Sequence, residues 1–295
     1  MKKYPLEELR PDLLDRLKRI LENDRLGHAY LFSGDFASFE MAIFLTQAIF
    51  CQEKAGALPC GQCRNCRLIA QQEFPDLTII APQGNVIKTD TVRELVKDFS
   101  QSGFESNKQV FIIRDAEKMH PNAANSLLKA MEEPQSDIHI FLLTNQEEAV
   151  LPTIKSRAQL VLFPKNTHFL EQKLEEEGLL KNQARLVAQV AGNVEQALLL
   201  AQNKAFIDSL TQSRKLVDSL YQSQNQAYLQ VGKLVALASE KSEQERLFDV
   251  LTIILAEQLE EKVARHYLDG LLLARKMWRS NVSFQNSLEH WILAA

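Results

Sequence analysis

The sequence predicts an α/β domain with a five-stranded parallel sheet, followed by two helical regions. Short apolar runs alternate with helical patterns through the first half of the chain, and strand signals stop after FPKN (163–166). Continuous apolar strands separated by helices are typical of a parallel sheet covered on both faces. We therefore expect an α/β domain over residues 1–165, a small helical domain over 166–204 and an all-helical domain over 205–295.

The individual elements follow from the pattern in chain order. The five predicted strands are 29–33, 76–80, 109–113, 138–143 and 159–163. Apolar residues at helical spacing predict helices at 6–21, 38–50, 90–100 and 121–133. Pro121 suits a first helical position, and Pro134 ends the last of these helices. Beyond the sheet we expect short helices broken at Gly178 and at 191–193, then long amphipathic helices at 206–221, 225–239 and 243–265.

Composition excludes several classes of protein. The chain has 295 residues, of which 45% are hydrophobic and 24% charged, as expected for a folded protein of two or three domains. A net charge of −4 argues against DNA binding by the chain as a whole, so nucleic-acid contact would need a local patch or partner subunits. No apolar run is long enough to span a bilayer, and MKKYPLEELRP lacks the apolar segment of a signal peptide. We expect a cytoplasmic protein with no membrane partner.

All four cysteines lie in the segment CQEKAGALPCGQCRNC, with the spacing C-x8-C-x2-C-x2-C. Four thiolates this close can chelate one ion, and they match the tetrahedral coordination of zinc. A disulfide framework is disfavoured in a reducing cytoplasm. An iron–sulfur cluster is the nearest alternative, but that pattern needs a further cysteine soon afterwards. The sequence therefore predicts a structural Zn²⁺ site in an insertion of about residues 51–70, formed by Cys51, Cys60, Cys63 and Cys66.

The stretch LFSGDFASFEMAIFL (31–45) has the layout of a phosphate-binding loop without its usual residues. A working loop reads G-x-x-x-x-G-K-[ST]. Counted from Gly34, Glu40 occupies the lysine position and Met41 the hydroxyl position. A carboxylate thus stands where a cation should neutralise phosphates. The loop alone fits two hypotheses, a nucleotide site that has lost its ligands or an ordinary strand–turn–helix.

The magnesium position of such a sheet is altered as well. In nucleotide-binding sheets an acid at the end of a hydrophobic strand holds the metal ion. Here VFIIRDAEKM (110–119) ends its strand with Arg114, followed by Asp115. Changes at both positions favour the lost nucleotide site over an incidental turn.

Several motifs occur in an order that resembles one protein family. They are LGHAYLFSG (26–34), the four-cysteine insertion, DAEKMHPNAANSLLKAMEEP (115–134), FLLTNQEEAVLPTIKSRAQ (141–159) and AGNVEQAL (191–198). Together they resemble the delta-prime subunits of the bacterial DNA polymerase III clamp loader, which belong to the AAA+ family. The resemblance covers roughly residues 1–200 and implies a RecA-like AAA+ domain with a zinc-binding insertion. A helical lid domain and a helical collar domain would follow.

The resemblance also implies a function in DNA replication. Clamp loaders of this family are hetero-oligomers that open a ring-shaped sliding clamp and load it onto primed DNA. The implied partners are the tau/gamma motor subunits and the delta subunit, with the clamp and the primer–template DNA contacted through the complex. Delta-prime subunits have little or no ATPase activity of their own, so we expect no ATP in this chain. DNA polymerase activity belongs to the complex.

In this family an arginine of a Ser-Arg-Cys motif reaches ATP on the neighbouring motor subunit. The matching positions here are Ser156, Arg157 and Ala158, so the cysteine is replaced and the arginine is present. Such an arginine stabilises charge on the transferring phosphoryl group in trans. Thr144 matches the family's first sensor residue. Glu195 stands near the position of an arginine that touches the γ-phosphate in nucleotide-binding relatives.

Two other hypotheses remain open at this point. The chain could be an active AAA+ ATPase with an unorthodox loop, which would bind ATP on its own. It could also be a zinc-dependent module that binds nucleic acid alone, in which case its DNA binding would be sensitive to salt. The first is opposed by the residues Glu40, Met41, Arg114 and Glu195, and the second by the net charge of −4.

Overall fold

A computed structural model describes residues 6–84, 86–98, 103, 105–132, 136–258, 260 and 262–294. The chain forms two compact units, residues 1–166 and 167–295. Among the described residues, no helix is both long and apolar enough to cross a membrane.

The first unit is built on a five-stranded, entirely parallel sheet with the strand order β2-β3-β4-β1-β5. Phe32, in the strand next to the central one, pairs with Leu143 on one side and with Val161 on the other. Because all strands run the same way, their carboxyl ends meet along one edge. The strands are β1 (Ala29–Ser33), β2 (Leu77–Ile80), β3 (Lys108–Ile113), β4 (Asp137–Thr144) and β5 (Gln159–Leu162).

Helices bury the sheet on both faces. One face packs Leu31, Phe111 and Ile140 against buried residues that include Leu127 and Ile154. On the other face the ring of Phe32 lies 4.8 Å from that of Phe163, measured between ring centres. The helices of this unit are α1 (Leu6–Leu9), α2 (Pro11–Glu22), α3 (Ser38–Phe50), α4 (Arg64–Gln71), α5 (Thr89–Asp98), α6 (Pro121–Glu132) and α7 (Pro152–Lys155).

The second unit is helical throughout its described residues. Helix α8 packs on α9, α11 on α12 and α13, and α14 on α13 and α15. Asparagine side chains cap α10 and α11 by accepting hydrogen bonds from the backbone, which satisfies donors that a helix start leaves unpaired. The helices are α8 (Thr167–Glu176), α9 (Lys181–Val190), α10 (Val194–Gln202), α11 (Lys204–Leu220), α12 (Gln224–Val235), α13 (Lys241–Ala256), α14 (Lys262–Arg279) and α15 (Phe284–Ala294).

The predicted fold class, a parallel five-stranded α/β domain followed by helices, is confirmed. The predicted division of the helical part near residue 204 stays a prediction, since α9 packs against both α11 and α13. Residues 99, 100, 133 and 134 of the predicted helix ends lie outside the described residues.

Two helices that were predicted to be continuous are each divided in the structure. The helix expected over 6–21 is divided at Arg10, because Pro11 lacks an N–H and fits only at the start of a new helix. The helix expected over 243–265 is divided after Ala256. Acidic residues at 257, 260 and 261 oppose the negative end of a helix dipole there and favour the start of the next helix.

Candidate functional site

The carboxyl edge of the sheet brings the end of β1 against the end of β4 and the segment after β5. The N–H of Gly34 donates to the carbonyl of Thr144 at 2.8 Å. Gly34 has φ +115°, and a Cβ placed on it would lie 2.1 Å from the carbonyl oxygen of Phe163. Backbone packing alone therefore requires glycine at this position.

The loop after Gly34 is filled by its own side chains. Phe36 and Met41 are buried, so the residue at the hydroxyl position packs in the core. Ala37 takes a left-handed conformation with φ 65° immediately before α3 begins. Glu40 is exposed in the first turn of α3, where the helix dipole favours a negative charge.

Arg114 occupies the position expected for a magnesium ligand and contacts the first turn of α3. Its guanidinium carbon lies 4.9 Å from the ring centre of Phe39, which is a cation–π distance. The next residue, Asp115, has φ 50° and forms an ion pair with Lys118 at 3.3 Å. Two cations thus lie beside this strand end.

Thr144, at the first sensor position, is buried at the end of β4 and hydrogen-bonded on its own chain. Its hydroxyl donates to Oε2 of Glu117 at 2.7 Å and accepts from the N–H of Gln146 at 3.1 Å. The hydroxyl is therefore engaged in ordinary structural hydrogen bonds.

Arg157 lies just after α7, and its side chain is 33% exposed. Its Nε donates to Oε1 of Glu132 at 2.6 Å, and its Nη2 also donates to that oxygen. Nη1 donates to the carbonyl of Thr153 and to Oγ of Ser156, at 3.1 and 3.2 Å. The two predicted residues Ser156 and Arg157 are thus in direct contact.

The structure brings the four predicted cysteines together. Their sulfur atoms all lie within 4.8 Å of one another. Tetrahedral zinc with Zn–S bonds near 2.3 Å separates two sulfurs by about 3.8 Å, and the Cys51 and Cys63 sulfurs are 3.9 Å apart. Cys51, Cys63 and Cys66 are buried, and Cys60 is partly exposed. The donor set and its size fit one tetrahedral ion.

Backbone N–H groups point at the sulfurs and stabilise negative charge on them. Cys51, Cys60 and Cys63 each accept at least one such bond, at 3.2–3.5 Å. The N–H of Cys66 lowers the pKa of the Cys63 thiol to about 6. Burial raises the pKa of Cys51 and Cys66, and a bound cation would favour their thiolate forms.

Other contacts attach the cysteine segment to the sheet domain. The Gln47 side chain donates to the carbonyl of Cys66 at 2.7 Å, and the Asn65 side chain donates to the carbonyl of Phe50 at 3.0 Å. Arg64 forms a bidentate pair with Glu105, with N–O distances of 2.6 and 2.9 Å.

The sequence did not predict which side chains of this chain contact the candidate site residues. Nothing local in the sequence indicates that Phe39 faces Arg114, that Glu117 accepts from Thr144, or that Glu132 holds Arg157. The one available signal was that Glu132 lies inside DAEKMHPNAANSLLKAMEEP (115–134), one of the segments that carry the family resemblance.

Comparisons with known proteins agree on one family. A family model described as DNA polymerase III, delta subunit, matches residues 9–167. The DNA polymerase III subunit delta' of Bacillus subtilis is 34% identical over 98% of this chain and 96% of its own length. The subunit tau/gamma of Haemophilus influenzae is 28% identical over 70% of this chain and 29% of its own.

One solved structure shares the fold along nearly the whole chain. A DNA polymerase III gamma subunit-related protein from Thermotoga maritima aligns over 96% of this chain and 98% of its own, with a TM-score of 0.52 and 20% identity. At this identity the likeness shows the fold alone. The full-length match to a delta' subunit and the family match in the sheet domain together show that the chain belongs to the delta-prime subunits of bacterial DNA polymerase III.

Proposed function

We propose that this chain is a delta-prime subunit that does not hydrolyse ATP and supplies Arg157 to ATP on an adjacent motor subunit. In this way it helps to load a sliding clamp onto primed DNA. One observation carries the proposal, the reversal of charge at the carboxyl edge of the sheet. An acid, Glu40, stands at the lysine position, and a cation, Arg114, stands at the metal-binding position.

The energetic consequence of this reversal is unfavourable for a bound nucleotide. A pair of unit charges 4 Å apart interacts by about 1 kcal/mol in water and about 4 kcal/mol at an effective dielectric of 20. Because Glu40 is exposed, its repulsion of a phosphate lies near the lower of these values. Loss of the lysine and of the metal ion adds to it. These effects support a chain that leaves ATP binding to its neighbours.

The surroundings of Arg157 support a role in trans. The side chain is partly exposed and donates a hydrogen bond to the carbonyl of Thr153 in the short helix α7. A planar guanidinium with several donors suits the charge that develops on a transferring phosphoryl group. Ser156 contacts the guanidinium and belongs to the same proposed site.

We further propose that Cys51, Cys60, Cys63 and Cys66 hold one structural Zn²⁺ ion. Four sulfurs within 4.8 Å, with backbone N–H donors directed at them, support this assignment. Four protein ligands leave no open coordination position, so the ion would stabilise the insertion and take no part in catalysis.

The proposed partners follow from the family. They are the tau/gamma motor subunits and the delta subunit, with the sliding clamp and the primer–template DNA contacted through the complex. We propose a cytoplasmic location, as for the replication machinery to which these subunits belong.

Reconstitution tests the proposal. Mixed with motor and delta subunits, the chain is expected to form a stable complex whose ATP hydrolysis is stimulated by clamp and primed DNA. Arg157→Ala is expected to lower that hydrolysis by roughly 10³-fold at the affected interface while the complex still assembles. Arg157→Lys, which keeps the charge and loses the planar fork, serves as the matched variant.

Three results would contradict the proposal. Unchanged hydrolysis with Arg157→Ala would exclude the role of the arginine. Micromolar binding of ATP by the isolated chain would instead favour an active ATPase. Salt-sensitive DNA binding by the isolated chain would favour a stand-alone nucleic-acid module.

A further inference from the structure

The guanidinium of Arg157 has two differently bound ends. At the Nε end, Oε1 of Glu132 accepts from both Nε and Nη2. At the Nη1 end, the acceptors are the carbonyl of Thr153 and the hydroxyl of Ser156. The first end therefore has a charged partner and the second has neutral ones. Hydrogen bonds to an ionised acceptor are roughly twice as strong as neutral ones.

The neutral acceptors at the Nη1 end are also easier to replace than the carboxylate at the Nε end. Thr153 and Ser156 are exposed, so water can take over their hydrogen bonds when the guanidinium leaves. The hydroxyl of Ser156 also has a second partner, since it donates to the carbonyl of Thr153 at 3.0 Å. A negatively charged phosphate oxygen can therefore replace both acceptors at Nη1 at little cost.

Glu132 is the last residue of α6, and that helix end is fixed to the sheet. The carbonyl of the preceding Met131 accepts from Nε2 of His28 at 2.7 Å, and the Met131 side chain is buried. The carbonyl of His28 in turn accepts from the N–H of Ile140 on β4 at 2.7 Å. Glu132 thus extends from a rigid support.

Arg157 is fixed to the same framework from the other side. Its N–H donates to the carbonyl of Ile154 at 3.0 Å, and Ile154 is fully buried in the core beneath α6. With both backbones held, the Glu132 carboxylate restricts a side chain that otherwise has many rotamers.

We propose that Glu132 is a positioning residue for Arg157. It holds the Nε end and directs the Nη1 end outward, so that a phosphate oxygen of ATP on the adjacent subunit replaces Thr153 and Ser156 while the pair with Glu132 stays intact. This inference rests on the proposed function of Arg157 in trans. In this inference the Ser156 hydroxyl accepts from Nη1 only until the phosphate oxygen replaces it.

The test measures ATP hydrolysis by the reconstituted complex with clamp and primed DNA. Glu132→Ala is expected to lower kcat roughly tenfold to a hundredfold, with less than about a twofold change in the KM for ATP, because orientation matters most in the transition state. Glu132→Gln is expected to recover part of the loss, since an amide oxygen still accepts at Nε.

Glu148→Gln provides the matched control. Glu148 is exposed and lies in the turn before α7, and it forms no ion pair with any residue in the described ranges. Gel filtration of the complex and thermal melting of each free subunit establish that the variants fold and assemble. A loss of kcat in Glu148→Gln as large as in Glu132→Gln would overturn the inference.

A double variant separates positioning from any independent role. Glu132→Ala combined with Arg157→Ala is expected to be no slower than Arg157→Ala alone, because Glu132 acts only through the arginine. An additive loss would overturn the inference. So would faster hydrolysis in Glu132→Gln, since that would show the carboxylate competing with phosphate.

The two failures are distinguishable. If Arg157→Ala has no effect, the proposed function fails, and the inference fails with it. If Arg157→Ala slows hydrolysis and Glu132→Ala does not, the inference alone fails.

Discussion

The guanidinium of Arg114 lies 4.9 Å from the ring centre of Phe39, so the end of β3 is joined to the first turn of α3 by a cation–π contact. Such a contact contributes about 0.5–1 kcal/mol at an exposed site. Arg114 therefore has a structural partner in this chain at the position where nucleotide-binding relatives place a metal ligand.

This contact predicts a small and specific coupling. A double-mutant cycle with Arg114→Ala and Phe39→Leu is expected to give about 0.5–1 kcal/mol of coupling in the free energy of unfolding, measured with denaturant. Neither single variant is expected to bind ATP in calorimetry. A coupling near zero would show that the two side chains do not interact in solution.

Gly34→Ala is expected to destabilise the sheet domain by about 3 kcal/mol or more, because a methyl group meets the backbone of Phe163 and the φ of +115° is unfavourable for alanine. Gly178→Ala is the control. Gly178 has φ +96°, but none of the residues that the structure describes places an atom within 4 Å of an added Cβ, so it isolates the conformational cost of about 1 kcal/mol. Denaturant unfolding checks both values, and equal losses would contradict the packing argument.

The purified chain is expected to contain about one equivalent of zinc and to be colourless. Removal of the zinc by a chelator is expected to lower the melting temperature of the protein. The variant Cys63→Ser is expected to contain less zinc. Metal analysis and an absorption spectrum check this. A coloured protein containing iron would show that the cysteines hold an iron–sulfur cluster.

His139 predicts a loss of stability in mild acid. Burial lowers its pKa below the usual value of 6.5 and outweighs the hydrogen bond that its Nδ1 donates to the carbonyl of Gly27 at 3.0 Å, which acts in the opposite direction. The folded state therefore favours the neutral ring. Below pH 6.5 the unfolded chain binds a proton that the folded chain does not. The free energy of unfolding then falls as pH falls, by at most about 1.4 kcal/mol per pH unit.

His139→Asn retains a side-chain donor and cannot titrate. It is expected to flatten the dependence of unfolding free energy on pH between about 6.5 and the lower pKa of the folded state. Denaturant unfolding at several pH values measures this slope. An unchanged slope would mean that other groups cause the acid sensitivity.

The sequence predicted the sheet because its strands are buried on both faces and read as unbroken apolar runs. It predicted the cysteine cluster because all four cysteines lie within sixteen residues, from Cys51 to Cys66. The contacts of Arg114 and Arg157 were not predictable in the same way. Glu132 and Arg157 are 25 residues apart, and only the packing of α6 against α7 brings them together.

The failures at Arg10 and Ala256 have a common physical origin. Apolar periodicity continues through both positions, but a proline in one case and a run of acids in the other interrupt the helix. Periodicity reports which face is buried, whereas backbone chemistry decides where a helix ends.

Helix α3 begins at the altered loop and ends directly before Cys51, so one helix of 13 residues lies between the proposed metal site and the carboxyl edge. Its length is about 20 Å at 1.5 Å per residue. Substitutions at its two ends should therefore change stability additively. In evolutionary terms, a lineage could discard the cysteines, or rebuild the loop, without having to alter the other end.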